Sequence, residues 1–423
     1  MNSRIIKYGI EVSALFDNEV DNGNRSFKFE KSNIIGLSVA KDFKNSLYPV
    51  VYMQISMSDK DYYYIVENKN HIRFLVKMDS YLVDDNGTLE DYLSNKRPYM
   101  RNTIMNMVFR PYFEDVTPYT DKKINEENIL GDDTSNFKML EVYLFSDESL
   151  EKNKVDCNFI LKDASVFDAL VYSCNKVGVK DLVIQIPDNN KVYEQIVSPP
   201  LKFRQTVNFL QQNYGIYNRG VMAFQDFERT YILPKYLKES VIEKDECKTI
   251  YILVNDKDGS NINMNLSSYY DVNKKLYAIN TLNNLRFMDN SNFDKEIIGD
   301  SINVLNVDDI NSTTVNLDLN SYNNDVTKNK NLVNYNDNEF LVNEFKSTLQ
   351  NRQISVSMDL LNIDISYITP NKEIVLIFED DEIEKKYGGH YSIEEFSYSV
   401  ARESGGSQDF TVKASLKLNK VMY

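Results

Sequence analysis

Tryptophan is absent from the sequence, histidine occurs twice and cysteine three times. With only His71 and His390, a three-histidine metal centre is impossible and a histidine-based triad has few options. Cys157, Cys174 and Cys247 are odd in number and widely spaced, with no CxxC pair. Neither a zinc site nor a disulfide framework is therefore expected, and the thiols read as small core residues or free thiols of a chain folded in a reducing cytoplasm. Glycine (14) and proline (9) are both scarce, which excludes collagen-like and Pro/Gly-rich disordered classes. No apolar run approaches the roughly 18 residues of a membrane span. The start, Met1-Asn2-Ser3-Arg4-Ile5-Ile6-Lys7-Tyr8, lacks a signal-peptide apolar region, so neither a membrane span nor signal-directed secretion is expected. The signatures GxSxG, GxGxxG, HExxH and Walker A are missing as well.

What is present is a chain of 423 residues, 42% hydrophobic and 26% charged, with 29 Tyr and 22 Phe. That length predicts roughly two to four domains. The 48 basic and 63 acidic residues leave a net charge of −15. Stable nucleic-acid binding needs a basic footprint to release phosphate counterions, so this balance argues against it. A surface past which DNA slides without sticking and plain solubility explain the charge equally well.

The first third alternates. Val51, Met53, Ile55 and Met57 interleave with Tyr52, Gln54 and Ser56; Ile72, Phe74, Val76 and Met78 interleave with Arg73, Leu75 and Lys77. A period of two predicts half-buried strands, with a turn at Asp84-Asp85-Asn86-Gly87. Further strands are expected near Ser26–Val39, Thr103–Phe109 and Met139–Phe145. Past residue 150 the pattern changes. Ser165 with Asp168 predicts a helix start, Val166, Leu170, Cys174 and Val177 its buried face, and Gly178 its C-terminal cap. A strand is expected over Leu182–Ile186. Ser198-Pro199-Pro200 predicts the opening of a second helix with Phe203, Val207, Leu210 and Tyr214 on its apolar face.

Short strands return at Ile250–Val254, Leu276–Ile279 and Ile302–Val307. Residues 309–338 are polar and Asn-rich and read as a long loop or arm, followed by a short helix over Glu339–Leu349. The last 70 or so residues alternate most cleanly, at Ile354/Val356/Met358, Ile374/Leu376/Phe378, Phe396/Tyr398/Val400 and Phe410 to Leu418. Gly388-Gly389 and Gly405-Gly406 supply turns. The expected fold class is mainly β with an α+β insertion: two tube-like β-barrel or sandwich domains flanking a small α+β domain. The predicted divisions are 1–149 (N-terminal barrel), 150–247 (α+β), 248–338 (β-rich extension with the Asn-rich loop) and 339–423 (C-terminal barrel).

No residue is singled out as catalytic, cofactor-binding or metal-ligating. His71 precedes a strand and His390 sits in a Gly-Gly turn; both read as surface or hinge residues. Asp17–Gly23 and Asp256-Lys257-Asp258-Gly259 lack the Gly and Glu positions of a calcium loop and read as turns. Glu379-Asp380-Asp381-Glu382 reads as a solvated loop.

The order of parts resembles the hub proteins of contractile phage tails and the hub portion of type VI VgrG spike proteins. The local match runs through Val192-Tyr193-Glu194-Gln195-Ile196, Leu201–Tyr214, Gly215-Ile216-Tyr217 and Val221–Phe224, and through Gly389–Ile393 with Phe396–Val400 and Phe410–Leu418 at the end. The Asn-rich segment and the β material at 248–308 depart from it. The resemblance implies a structural virion protein without enzymatic activity or cofactor, assembled in the host cytoplasm and located in the tail baseplate. It implies a homotrimer joining the tail tube protein above to the central spike protein below, beside baseplate wedge proteins. Two tube-like barrels per chain would form a pseudo-hexameric ring through which DNA passes during genome ejection without specific binding. Another baseplate, tail-tip or host-binding virion protein, or a tail-associated cell-wall hydrolase, are the alternatives.

Overall fold

The computed structural model describes residues 4–17, 26–84, 100–113, 137–227, 229–236, 250–254, 269–271, 276–279, 285–289, 354–361, 365–378, 381–402 and 410–421, with 340, 341, 343, 344, 347, 348 and 363. Alternation lays down the first strands: β1 (Arg4–Phe16), β2 (Ser26–Lys28), β3 (Ile34–Asp42), β4 (Val50–Ser58), β5 (Ile72–Asp84), β6 (Met100–Tyr112) and β7 (Phe137–Ser146). The single strand expected over Ser26–Val39 is split by a 3-10 turn at Lys31–Asn33. Two helices interrupt what reads as strand throughout, α1 (Asp59–Glu67) and α2 (Asp147–Lys154). Both are capped locally, by Ser58 accepting from Asp61 N and Ser146 accepting from Ser149 N. α1 buries only Ile65 among its residues, so it carries no apolar stripe for periodicity to detect.

The middle of the chain supplies β8 (Asp156–Ser165), α3 (Val166–Lys176), β9 (Asp181–Ile184), β10 (Val192–Lys202), α4 (Phe203–Asn213), β11 (Val221–Asp226) and β12 (Arg229–Pro234). The predicted capping box is present, with Ser165 and Asp168 bonded reciprocally, and Gly178 follows α3 at φ +76°. The helix predicted to open at Ser198-Pro199-Pro200 does not start there. Those residues are extended in β10, at a register shift against β8 between Ser198 and Leu201, and α4 begins at Phe203. Proline's fixed φ suits the bulged strand as well as a first helical turn, and its missing N–H costs nothing at an irregularity in the ladder. The apolar face expected of α4 is buried at Phe203, Val207 and Leu210.

The last part comprises β13 (Ile250–Val254), β14 (Tyr269–Asp271), β15 (Leu276–Ile279), β16 (Leu285–Asp289), β17 (Ile354–Leu361), β18 (Glu373–Phe378), α5 (Asp381–Tyr387), β19 (Gly389–Arg402) and β20 (Phe410–Lys420). Asp381 and Glu382, expected in a solvated loop, instead open α5, where carboxylates complement the positive end of the helix.

The protein is mainly β, as expected. Hydrogen bonding continues from the strands of 1–149 into those of 339–423, so the two β regions share one 15-stranded sheet. Within it the path β3-β4-β7-β6-β5-β1-β20-β19 returns to β3, a closed circuit of eight strands. The closure between β1 and β20 is the pair Tyr8–Phe410. Its interior is filled with side chains, among them Tyr8, Ile10, Met53, Ile55, Phe74 and Val76, all with no exposed surface. The Tyr8 hydroxyl donates to Ile363 O at 2.5 Å and accepts from Ile365 N at 3.3 Å, tying the first strand to the segment after β17. Outside the circuit, β18 leaves β19 to pair with β13, in parallel, and β13 with β15.

The inserted unit has its own core, with Cys157, Val166, Leu170, Cys174, Phe203, Val207 and Leu210 beneath the β8–β10 ribbon. The β11–β12 hairpin separates the two cores. Met222, Phe224, Tyr231 and Leu233 face the barrel, while Val221, Ala223 and Ile232 face the insert.

Candidate assembly face

The strands β17, β20, β19, β3, β4 and β7 form a wall whose inward residues are the barrel core. Its outward residues line up in rows set by strand register. One row reads Tyr143, Tyr52, Ser38, Ser399, Lys413 across β7 to β20. The next reads Val50, Ala40, Ser397, Ser415, Asp359 across β4 to β17. A third joins Asp42, Glu395, Lys417 and Ser357. The middle of this face is a trough of about 900 Å3. Lys417 is held by Glu395 Oε1 at 2.7 Å and Glu394 Oε2 at 3.4 Å, and both carboxylates keep its ammonium above the usual lysine range. The Tyr52 and Tyr143 ring centroids are 5.2 Å apart, within the range aromatic pairs prefer, and Gln54 bridges the Tyr52 hydroxyl and Glu141.

Directly under the wall the hairpin of the inserted unit is locked in place. Lys41, pointing inward from β3, meets Asp226 at the end of β11, with Nζ 2.7 Å from Oδ1 and 2.9 Å from Oδ2. Only 8% and 9% of the two side chains are exposed. Phe227 follows at φ +55° and lays its ring 5.0 Å from the same ammonium. Phe224 meets Phe43 edge-on at 5.0 Å, and Gln225 N donates to Leu47 O at 2.7 Å. The Tyr398 hydroxyl, beside this pair, has no hydrogen-bond partner among the described residues, and burial pushes its phenol up, with the Asp226 charge adding to the effect.

The residues weighed for chemistry are not brought together. His71 is half exposed, 4.0 Å from Asp17. His390, read as a turn residue, lies in β19, where its Nδ1 is 2.9 Å from Glu373 Oε2 on the neighbouring strand. Cys157 and Cys174 are buried in the insert core, and burial pushes the Cys174 thiol up to about 12. Residues 18–23, 256–259, 302–307, 309–338, 379–380 and 405–406, together with Cys247 and the turn at 85–87, lie outside the described residues. Among the described residues no group of acidic, His and Cys side chains could hold a metal ion, and no helix is long and apolar enough to cross a membrane. Sequence reading did not single out the hydroxyl face. Its signal was there as serine at alternate positions, in Ser355-Val356-Ser357 and Ser397-Tyr398-Ser399.

The family described as Bacteriophage PBS1 gene 109 protein matches the chain over residues 4–421. The chain belongs to that family. No curated protein matches its sequence. Solved structures similar to it include the 43 kDa tail protein of prophage MuSo2 from Shewanella oneidensis, at 8% identity and TM-score 0.44, covering 96% of this chain and 97% of that one. The tail protein from Neisseria meningitidis MC58 follows at 9% and 0.43, covering 97% of each. The E. coli c3393 protein, a component of the type VI secretion system with structural similarity to T4 bacteriophage tail proteins gp27 and gp5, matches at 8% and 0.39, covering 91% of this chain and 73% of that one.

Proposed function

We propose that this member of a phage protein family is a structural component of the tail, the central hub of its baseplate. In this reading three copies form a ring that joins the tail tube to the central spike, beside the wedge proteins, and DNA passes through the ring during ejection. The observation that carries the reading is the barrel closed by strands from both ends of the chain. Its interior is filled, so nothing passes through a single copy. A passage must therefore lie between copies, and identical chains enclose one by cyclic symmetry. The acidic balance suits such a passage, because it offers passing phosphates few cations. In this role the chain works as a rigid connector, needs no cofactor and catalyses nothing.

Light scattering and negative-stain imaging of the purified full chain test it. A trimeric ring with a central hole is the expected result. A monomer that stays single with tube and spike proteins added would overturn the hub assignment, and cell-wall hydrolysis by the pure protein would overturn the non-enzymatic one.

A further inference from the structure

We infer that the hydroxyl-rich face of β17, β20, β19, β3, β4 and β7 is the wall of the channel, an inference that rests on the hub reading. Its centre is made of Ser38, Ser397, Ser399, Ser415 and Ser357, all on the outward side of the wall. Protein-protein interfaces are built from the opposite set: aromatic residues, Met and Arg are enriched there, and Ser, Asp, Glu and Lys are depleted. Of the large apolar side chains that this wall exposes, Phe137 and Met139 sit at its β7 margin and Ile35 and Val50 on β3 and β4, and none among the described residues lies on β19, β20 or β17.

The same face is unsuited to holding a polyanion. Affinity for nucleic acid comes mostly from Lys and Arg neutralising phosphates. Here Lys417 is already engaged by two carboxylates, Asp359 and Glu395 stand in the same rows, and Glu141 lines the trough beside Tyr52 and Tyr143. A phosphate backbone meeting this wall finds short hydroxyls and repelling carboxylates around Lys413, the one cation in the two central rows, which is too little positive charge to trap it. The trough supplies the shape, a concavity of about 900 Å3 in each copy. The exposed apolar residues of the insert, Ile160, Ile186 and Val192, belong to another surface.

The test places a nitroxide at Ser397→Cys in the full chain, on a Cys247→Ser background, since Cys157 and Cys174 are buried. A second sample carries it at Lys162→Cys, an exposed position on the inserted unit. Pulsed electron paramagnetic resonance on the assembled ring reads distances between copies. Shorter distances at Ser397 than at Lys162 are expected. Equal or longer ones, in a ring that images normally, would overturn the channel wall while leaving the hub standing. Failure to form any ring removes the hub and this inference with it. A triple variant, Ser38→Lys, Ser397→Lys and Ser399→Lys, gives an independent readout. If these positions face the channel, the ring should retain duplex DNA about tenfold or more tightly at low salt, and lose that gain as salt rises. DNA affinity unchanged in an intact ring counts against the assignment.

Discussion

The β11–β12 hairpin and the β8–β10 ribbon are both antiparallel pairs in the same inserted unit, yet the hairpin is buried on both faces and the ribbon on one. The hairpin reads as a near-continuous apolar run, Val221-Met222-Ala223-Phe224, because each side meets a core. The ribbon alternates, with Cys157, Phe159 and Ile196 turned to the helices and Ile160 and Val197, paired across the strands, left outside. Its backbone is guarded instead. Val197 N donates to the Tyr214 hydroxyl at 3.0 Å, and Lys176 Nζ donates to Asn158 O at 2.8 Å, which leaves those edge groups unavailable to another chain. One pair therefore fixes the insert to the barrel, and the other spreads it to solvent.

The sharpest way to break this contrast is at the hairpin. Asp226→Ala strands the Lys41 ammonium in a site where only 8% of it is exposed, and should cost about 3–5 kcal/mol in denaturant unfolding. Phe224→Ala should cost a similar amount, about 3–5 kcal/mol. A loss under about 1 kcal/mol in both would mean the hairpin is not the joint.

Behind the hairpin, Gly215 stands at φ +77°, and a Cβ there would lie 2.3 Å from the Phe340 ring. Phe340 begins the helical residues that dock on α4 through Glu344, which bonds Lys235 and Gln211. Gly215→Ala should destabilise by roughly 1–2 kcal/mol from the backbone alone, and should release the docked turn to proteolysis earlier than the barrel.

On the ribbon side the effects shrink. Ser165→Ala removes the cap of α3 and should cost about 1 kcal/mol. The Ser165 hydroxyl and backbone N–H hold the Asp168 carboxyl below its usual range. A depressed folded value means that this contribution is complete above the unfolded carboxylate range, near pH 4, and is lost as pH falls through the folded one. Wild type should therefore lose part of its margin over Ser165→Ala on acidification below about pH 4, measured as the gap between unfolding midpoints. Smallest of all, Ile160→Thr and Val197→Thr should stay within about 0.5 kcal/mol of wild type. A larger loss in the isolated chain would show that the outer ribbon face is covered.

Much of this was legible. The strands of the barrel other than β1, the Ser165–Asp168 box and the buried face of α4 follow from periodicity and capping chemistry, which act over a few residues. The helices α1 and α2 were not read, since Ile65 alone is buried in the first and the cap is the sole cue. Ser198-Pro199-Pro200 misled because proline chemistry permits two outcomes and only pairing with β8 selects one. The hydroxyl-rich face escaped because single serines in alternating strands look like ordinary wet positions. They become a surface only when β3, β19, β20 and β17 lie side by side.

By itself, then, the sequence determined which residues turn inward along the alternating strands, where α3 of the insert is capped, and that the chain carries excess negative charge. Those properties depend on neighbours within a turn or two, and on composition. Only the tertiary structure decided that β1 closes on β20, that Lys41 meets Asp226 across 185 positions of chain, and which serines share a wall. Contacts between distant segments depend on how every intervening element is placed, and no local pattern records that.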